Sequence, residues 1–201
     1  MRHLKMLGLL GIAATVVMAL ASTALATTIT FETKTYLPSG NTIHAEAGTT
    51  TLHGVTTITC HKSTLTSKLS SEGGSGITVK GVNEKLTFDE CTNAHVEVNL
   101  AGTLEVHTDP DDNSPVTGNG ILTSSGGEIT VQITSLNLTC VFTTSNTVIG
   151  TIEGSETHSA TGVLKIESSK IPRTGGSIFC GSSAEWTGNY IITTPHYLYV
   201  D

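Results

Sequence analysis

Short segments in which apolar and polar residues alternate with a period of two recur along the chain from residue 28 onward. Examples are TITFETKTY at 28–36, GITVK at 76–80 and TLEVH at 103–107. This spacing places successive side chains on opposite faces of a β-strand. No stretch after residue 26 shows a sustained 3.6-residue apolar period. Further alternating segments are found at 56–60, 64–69, 85–88, 95–100, 128–133, 136–142, 148–152, 163–166, 190–193 and 197–200. The pattern predicts an all-β chain.

The turns and the threonine content indicate the same fold class. Glycine, asparagine and serine separate the segments, as in EGGSG at 72–76 and GNG at 118–120. Threonine is the most frequent residue, and its β-branched side chain suits a pleated surface while its hydroxyl stays solvated. Strands of about six residues at intervals of about 8–12 residues are typical of sandwiches and barrels. We therefore expect an antiparallel β-sandwich or barrel.

The charge content excludes several classes of protein. Charged residues make up 13% of the sequence, about half of the roughly 25% in ordinary globular domains, which argues against coiled coils and charge-rich disordered chains. The formal net charge is −7, whereas a nucleic-acid-binding surface needs an excess of basic side chains. We therefore expect no nucleic acid among the partners.

The first 26 residues have the three parts of a secretory signal peptide. A basic start (RHLK at 2–5) is followed by an uncharged stretch at 6–20 and by the small-x-small sequence ALA at 24–26. The apolar run is shorter than the ~20 residues of a membrane-spanning helix, so a retained N-terminal anchor is the less favoured alternative. We expect residues 1–26 to be a removable signal helix and residues 27–201 to be exported, with no later membrane span.

The exported part has a loose internal repeat. Each half contains a strand that ends in cysteine, then several strands, and then a second cysteine followed by a strand pair. The halves would be 27–112 and 113–201, near the Pro- and Asp-rich stretch at 109–120. This plan predicts a duplicated fold. Residue identity between the halves is poor, and the alternative is a chance likeness, because segments of any threonine-rich β chain resemble one another. One continuous β domain is favoured over two separate ones.

Four cysteines follow the predicted signal peptide: Cys60, Cys91, Cys140 and Cys180. An even number in an exported chain favours disulfides, and four cysteines permit three pairings. The C-x-x-C spacing typical of zinc and redox sites is absent. The internal repeat favours the pairs Cys60–Cys91 and Cys140–Cys180.

An acidic stretch in the middle of the chain is the best candidate for a metal site. Asp109, Asp111 and Asn113 have the 1-3-5 spacing of oxygen ligands in calcium loops. Ser114 stands where an EF-hand loop needs glycine, and Gly120 stands where it needs glutamate. The sequence therefore predicts calcium in a β loop, with a solvated acidic loop as the alternative, and no other cofactor.

Four polar aromatic residues lie close together near the end of the sequence: Trp186, Tyr190, Tyr197 and Tyr199. Even spacing places Trp186 and Tyr190 on one face of a strand, and likewise Tyr197 and Tyr199. They form either part of the packed core or an exposed platform, whose amphipathic rings would bind a polysaccharide or a protein.

No combination of residues points to a reaction. The motifs G-x-S-x-G and H-E-x-x-H are absent. The acidic pair Asp89-Glu90 suits a strand edge, where charge discourages edge-to-edge pairing, better than the catalytic pair of a glycosidase. We therefore expect that the chain is not an enzyme.

The end of the sequence resembles a recurring ending of uncharacterised secreted proteins of soil actinobacteria. The resemblance is carried by IPRTGG at 171–176, Cys180-Gly181 and WTGNY at 186–190. It extends more weakly back to Val55 and includes the signal peptide, the Thr/Ser/Gly-rich strands and the four cysteines. It implies an exported, disulfide-containing β protein and no particular activity. In this ending, the proline and glycines predict a turn, and Arg173 is expected to form an ion pair.

These features together predict a bacterial protein that is secreted or held in the cell envelope and has a non-enzymatic structural, adhesive or binding role. The expected partners are polysaccharides or proteins of the cell wall or cell surface. One alternative is a carbohydrate-binding module or a hydrolase of cell-wall polymers. Another is fibre assembly through open strand edges.

Overall fold

A computed structural model describes residues 29–30, 37–72, 78–108, 119–154, 161–195 and 199–200. In these ranges the chain forms β-strands and one short 3-10 helix, Ile178–Cys180, and no α-helix. The all-β prediction is confirmed. The predicted signal helix at 1–26 lies outside the described residues.

The strands differ widely in length, from two to 14 residues. Their bounds are β1 Ile29–Thr30, β2 Thr42–Ala47, β3 Thr50–His53, β4 Thr57–Leu69, β5 Val79–Cys91, β6 Ala94–Leu100, β7 Thr103–Thr108, β8 Asn119–Ser125, β9 Glu128–Ile133, β10 Leu138–Thr143, β11 Thr147–Glu153, β12 Val163–Gly176, β13 Ser183–Thr194 and β14 Tyr199–Val200.

Twelve of these strands form one antiparallel sheet that closes on itself. Pairing runs from β4 through β5, β7, β8, β11 and β12 to β13. Strand β13 then pairs with β2 and β3, and both of these pair with β4. Strands β2 and β3 therefore meet β13 and close the sheet into a ring. The side chains that point inward from opposite sides of this ring form one core. Strands β1 and β14 pair separately in a two-stranded ribbon.

Several neighbouring strands are two parts of one longer strand. Strands β2 and β3 pair with β4 in one unbroken register. The pairs β6/β7, β8/β9 and β10/β11 also run in continuous register along one another, apart from local bulges. The closed sheet thus consists of eight long strands that alternate in direction in chain order.

Because the long strands alternate in direction, their connecting turns are grouped at two ends of the sheet. One end carries the turns at 54–56, 92–93, 134–137 and 177–182. Both predicted disulfides lie near these turns and are confirmed: Cys60–Cys91 joins neighbouring strands, and Cys140–Cys180 joins β10 to the 3-10 helix. We call this end the disulfide end.

The alternation in the sequence separates an apolar interior from a hydroxyl-rich surface. In β9, Ile129, Val131 and Ile133 are buried, and the residues between them are more exposed. Outward threonines pair across neighbouring strands, as Thr64 and Thr87 do through hydroxyls 2.9 Å apart. Such cross-strand pairs stabilise a sheet surface and explain how it forms with few charges.

The ending IPRTGG does not form the predicted turn. Residues 171–176 complete β12, and the turn follows at 177–182. Within the described part of the chain, no carboxylate lies within ion-pair distance of Arg173. Its Nε donates instead to the carbonyl oxygen of Gly181 at 2.7 Å, and this bond fixes the turn against β12.

Each predicted half contributes four long strands, and all eight belong to the same closed sheet. The duplication itself stays a prediction.

Among the described residues, no helix has the length and apolar character needed to cross a membrane.

Gly102 lies where β6 bends into β7 and provides a test of this bend. Its φ is +71°, and an added Cβ would lie 2.4 Å from the backbone nitrogen of Gly127. Gly126 has a similar φ of +69° but open space around it.

We expect Gly126→Ala to lower the free energy of unfolding by about 1–2 kcal/mol, the cost of a left-handed conformation. Gly102→Ala should cost at least about twice as much, because the backbone must also move. Urea unfolding measures both, and equal losses would contradict the close packing at the bend.

Candidate functional site

The closed sheet has a gap between β5 and β6. Strand β5 pairs with β7 only from Val79 to Val82, and β6 pairs only with β9. In the described structure, the facing edges of β5 residues 84–91 and β6 residues 94–100 therefore lack a ladder. The turn Thr92-Asn93 closes the gap at one end. We call this gap the β5–β6 opening.

Asn83 closes the other end of the opening. Its backbone N–H donates to the carbonyl oxygen of Gly102 at 2.9 Å. Its side-chain Nδ2 donates to the carbonyl oxygen of Ala101 at 2.8 Å. One residue therefore holds β5 against the bend between β6 and β7, where the wall of the sheet becomes continuous.

Bulges in both bordering strands explain why they separate. The pairing of β4 with β5 skips Glu84, and the pairing of β6 with β9 skips Asn99. A bulge adds a residue to one strand and bends it. Asn99 also attaches β6 to β9, because its Nδ2 donates to Glu128 Oε1 at 2.8 Å and to Thr130 Oγ1 at 2.9 Å. Strand β6 therefore follows β9 and leaves β5.

Charged side chains border the opening. Asp89 and Glu90 are exposed on the unpaired half of β5, as are Glu84 and Lys85. Glu97 is exposed on β6. Charges on a strand edge disfavour pairing with another chain, which is the role that the sequence analysis predicts for Asp89-Glu90. This border argues against fibre assembly through the opening.

A mainly apolar cavity of about 40 Å³ lies beneath the opening. This volume accommodates about three water molecules. Its lining includes Leu86, Phe88, Leu100, Phe142 and Trp186. Leu100 is 59% exposed, whereas Phe88 and Trp186 are buried. The cavity therefore extends from Leu100 at the surface into the core.

Three aromatic rings form the inner part of the cavity wall. The ring centres of Phe88 and Trp186 lie 5.7 Å apart, and those of Trp186 and Tyr190 lie 5.9 Å apart. Both pairs are edge-to-face, the arrangement that the charge distribution of aromatic rings favours. Since these rings are close-packed, the inner end of the cavity has a defined shape.

Tyr190 is fixed by a chain of hydrogen bonds. Its hydroxyl lies 2.6 Å from Ser63 Oγ, which in turn donates to the carbonyl oxygen of Thr87 at 2.5 Å. Because serine has a single hydroxyl hydrogen, Tyr190 is the donor in the first bond. Burial raises the pKa of Tyr190 above its ordinary value. The phenol therefore stays neutral and acts as a structural donor.

Two buried polar atoms of the cavity lining have no hydrogen-bond partner in the described protein: Asn83 Oδ1 and Trp186 Nε1. The bond from Asn83 Nδ2 to Ala101 fixes which way the amide is oriented. An unpaired buried polar atom costs about 1–3 kcal/mol. The site thus holds one free acceptor, Asn83 Oδ1, and one donor, the Trp186 N–H, which lies beside the Tyr190 hydroxyl and lowers its pKa without completing a hydrogen bond to it.

For Trp186 and Tyr190, the structure supports the first of the two interpretations of the C-terminal aromatic residues, packing in the core. Trp186 and Tyr190 share one face of β13, as predicted, and this face points into the core, where they are 7% and 1% exposed. Trp186 contributes to the cavity as well. Tyr197 lies outside the described residues, and Tyr199 is described only as part of the β1–β14 ribbon.

The predicted calcium ligands Asp109, Asp111 and Asn113 also lie outside the described residues. Calcium binding there stays a prediction. In the part of the chain that the structure describes, no group of three or more His, Cys, Asp or Glu side chains is placed to hold a metal ion.

The sequence pattern singles out Trp186 and Tyr190 but not the β5 residues of this site. Asn83 and Phe88 lie in β5, and nothing in the alternating pattern distinguishes them from other strand residues. The one available signal was the interrupted alternation at Glu84 and Lys85, which marks the bulge.

Comparison with known proteins identifies no relatives of this chain, since no family model, no curated protein and no solved structure matches it.

Proposed function

We propose that this is an exported, non-enzymatic binding protein that takes the apolar part of a small molecule into its closed sheet through the β5–β6 opening. Two observations support export. Residues 1–26 have the pattern of a signal peptide, and the two disulfides indicate an oxidising environment such as the bacterial exterior.

The observation that carries the proposal is an apolar cavity that opens through a gap in the sheet and contains an unpaired donor and acceptor. Binding sites for small molecules combine an apolar lining with a few polar groups that orient the ligand. The complementary ligand is therefore mainly apolar and carries a donor for Asn83 Oδ1 and an acceptor for Trp186 Nε1.

Binding is favoured over catalysis by the state of the polar groups in the cavity. Tyr190 is neutral and bonded to Ser63. Glu128, the one carboxylate of the described lining, accepts hydrogen bonds from Asn99 and Thr143. Both side chains are engaged in hydrogen bonds that hold the structure together.

An apolar ligand is also favoured over a polysaccharide of the cell wall. Sugar recognition through aromatic stacking needs rings at the surface. The aromatic rings of the site, Phe88, Trp186 and Tyr190, are buried. A module that binds carbohydrate on a flat aromatic face therefore fits this site less well.

Leu100 tests this proposal because it lines the cavity and is largely exposed at its mouth. The probe is N-ethyl-1-naphthylamine, a fluorescent apolar molecule with one N–H donor, whose two-carbon ethyl group is small enough for a cavity of about 40 Å³. Trp186 is the only tryptophan of the chain, so energy transfer from it to the probe reports binding next to the cavity. We expect the protein to enhance probe emission and Leu100→Arg to weaken binding at least tenfold, because a charge would occupy the apolar mouth.

Val148→Arg is the matched control. Val148 is 60% exposed, close to the 59% of Leu100, and it lies on β11 outside the cavity lining. This variant should bind the probe like the unmodified protein. If the unmodified protein gives no enhancement, or if both arginine variants bind equally well, the cavity is not a binding site.

A further inference from the structure

The turns of the disulfide end lack charged side chains and expose apolar ones, and the nearest charged or titratable residues, such as His53 and Glu90, lie in the flanking strands. The four turns, at 54–56, 92–93, 134–137 and 177–182, contain no Asp, Glu, Lys, Arg or His, although the formal net charge of the chain is −7. Three of these turns expose a large apolar residue. The exposed fractions are 42% for Val55, 49% for Leu136, 78% for Ile178 and 71% for Phe179.

These turns are held rigidly and close together. The backbone N–H of Ser177 donates to the carbonyl oxygen of Thr139 at 2.8 Å. Residues 54–56 and Cys180 line one small hollow between the turns. The Cys140–Cys180 disulfide and the bond from Arg173 to Gly181 anchor the turn that carries Ile178 and Phe179. The apolar side chains therefore protrude from a fixed base and stay exposed.

The exposed area limits the kind of partner. At roughly 200 Å² for a fully exposed large side chain, the four residues together expose roughly 500 Å². A stable protein interface buries about 800 Å² on each partner, so these four side chains alone fall short of one, and polar atoms of the turns would have to supply the rest. Separate protrusions would also need a matching hollow for each turn in a protein partner, whereas a fluid lipid layer accommodates them without matching shape.

We propose that the disulfide end inserts Ile178 and Phe179, supported by Val55 and Leu136, into the surface of a lipid layer. The turns carry hydroxyl and amide groups that suit the headgroup region, and they contain no ionic group of their own that would have to be desolvated there. Because these turns offer no basic side chain to anionic lipids, binding rests on apolar contact. It should therefore need no anionic lipid and should change little with salt.

Co-sedimentation with phosphatidylcholine vesicles tests this inference. We expect the protein to bind these vesicles equally in low and high salt. The double variant Ile178→Ser/Phe179→Ser should reduce the vesicle-bound fraction at least tenfold. Since both side chains are exposed, it should unfold at the same temperature as the unmodified protein, so that lost binding is not lost folding.

Ile191→Ser provides the matched control, since Ile191 is 53% exposed on β13 but lies away from the disulfide end. It should bind vesicles normally. No binding to phosphatidylcholine, binding only to anionic vesicles at low salt, or unchanged binding of the double variant would each overturn the inference. The inference would also be overturned if the protein formed a dimer at micromolar concentration and the double variant did not. These side chains would then contact a second copy of the chain. These results are independent of probe binding in the cavity.

Discussion

Replacing Tyr190 with alanine is expected to lower the free energy of unfolding by about 3–5 kcal/mol, as for other large buried aromatic residues. The side chain is 1% exposed and packs against Trp186. Its loss leaves a void in the core and removes the hydrogen bond to Ser63. Domains are stable by only about 5–15 kcal/mol, so the loss is a large part of the total. Urea unfolding followed by circular dichroism measures it.

Tyr190→Phe separates packing from hydrogen bonding. The phenylalanine ring keeps the contact with Trp186, and only the bond to Ser63 is lost. We expect a smaller loss of about 0.5–1.5 kcal/mol, typical of one hydrogen bond. If Tyr190→Ala and Tyr190→Phe cost the same, or if the alanine variant costs less than about 1 kcal/mol, then the packing described around this ring is wrong.

Replacing Cys60 and Cys91 together with alanine is expected to lower the free energy of unfolding by about 4 kcal/mol. The two cysteines are 31 residues apart in sequence, and a loop of this length gives about this value in the chain-entropy model. The disulfide also joins β4 to the half of β5 that borders the opening, and β4 is the only strand that pairs with this half in the described structure. We therefore expect weaker binding of the naphthylamine probe as well, because the border of the opening becomes less ordered.

The second disulfide supplies the comparison. Cys140 and Cys180 are 40 residues apart, so their replacement with alanine should cost nearly the same in stability. It should leave probe binding largely unchanged, since Cys140–Cys180 joins β10 to the 3-10 helix and neither of these elements borders the opening. Equal effects of the two double variants on probe binding would contradict a local role for the Cys60–Cys91 bond.

The sequence predicts the strand-rich fold well but divides its strands too finely. The segments predicted at 56–60 and 64–69 form one strand, β4, in which His61 and Lys62 are both exposed and interrupt the alternation. The segment predicted at 163–166 continues to Gly176 past a bulge near Ser168. A bulge or irregularity reverses the phase of the alternation, so a pattern based on strict alternation ends there.

The candidate site depends on features that a local pattern does not contain. The β5–β6 opening exists because no ladder forms between these two strands. The ladder is missing because bulges bend both strands, and the effect of each bulge depends on its partner strand. Trp186 and Phe88 meet across the core although 98 residues separate them in sequence. The spacing of Trp186 and Tyr190 predicts that they share a face, yet which face is buried follows only from the closure of the sheet. The disulfide pairs were predictable because cysteines and strands follow each other in the same order in the two predicted halves.

The order of strands in the closed sheet also bears on how the chain folds. Successive long strands are neighbours, so most pairing and both disulfides arise between nearby parts of the chain. The exception is the final seam between β13 and the strands β2 and β3, where Ile191 faces Glu46. Bringing such distant segments together carries the largest loop-closure entropy. We therefore expect the seam to form last, once β13 is available. A chain that crosses a membrane unfolded, N-terminus first, would complete its ring only after its C-terminus had emerged.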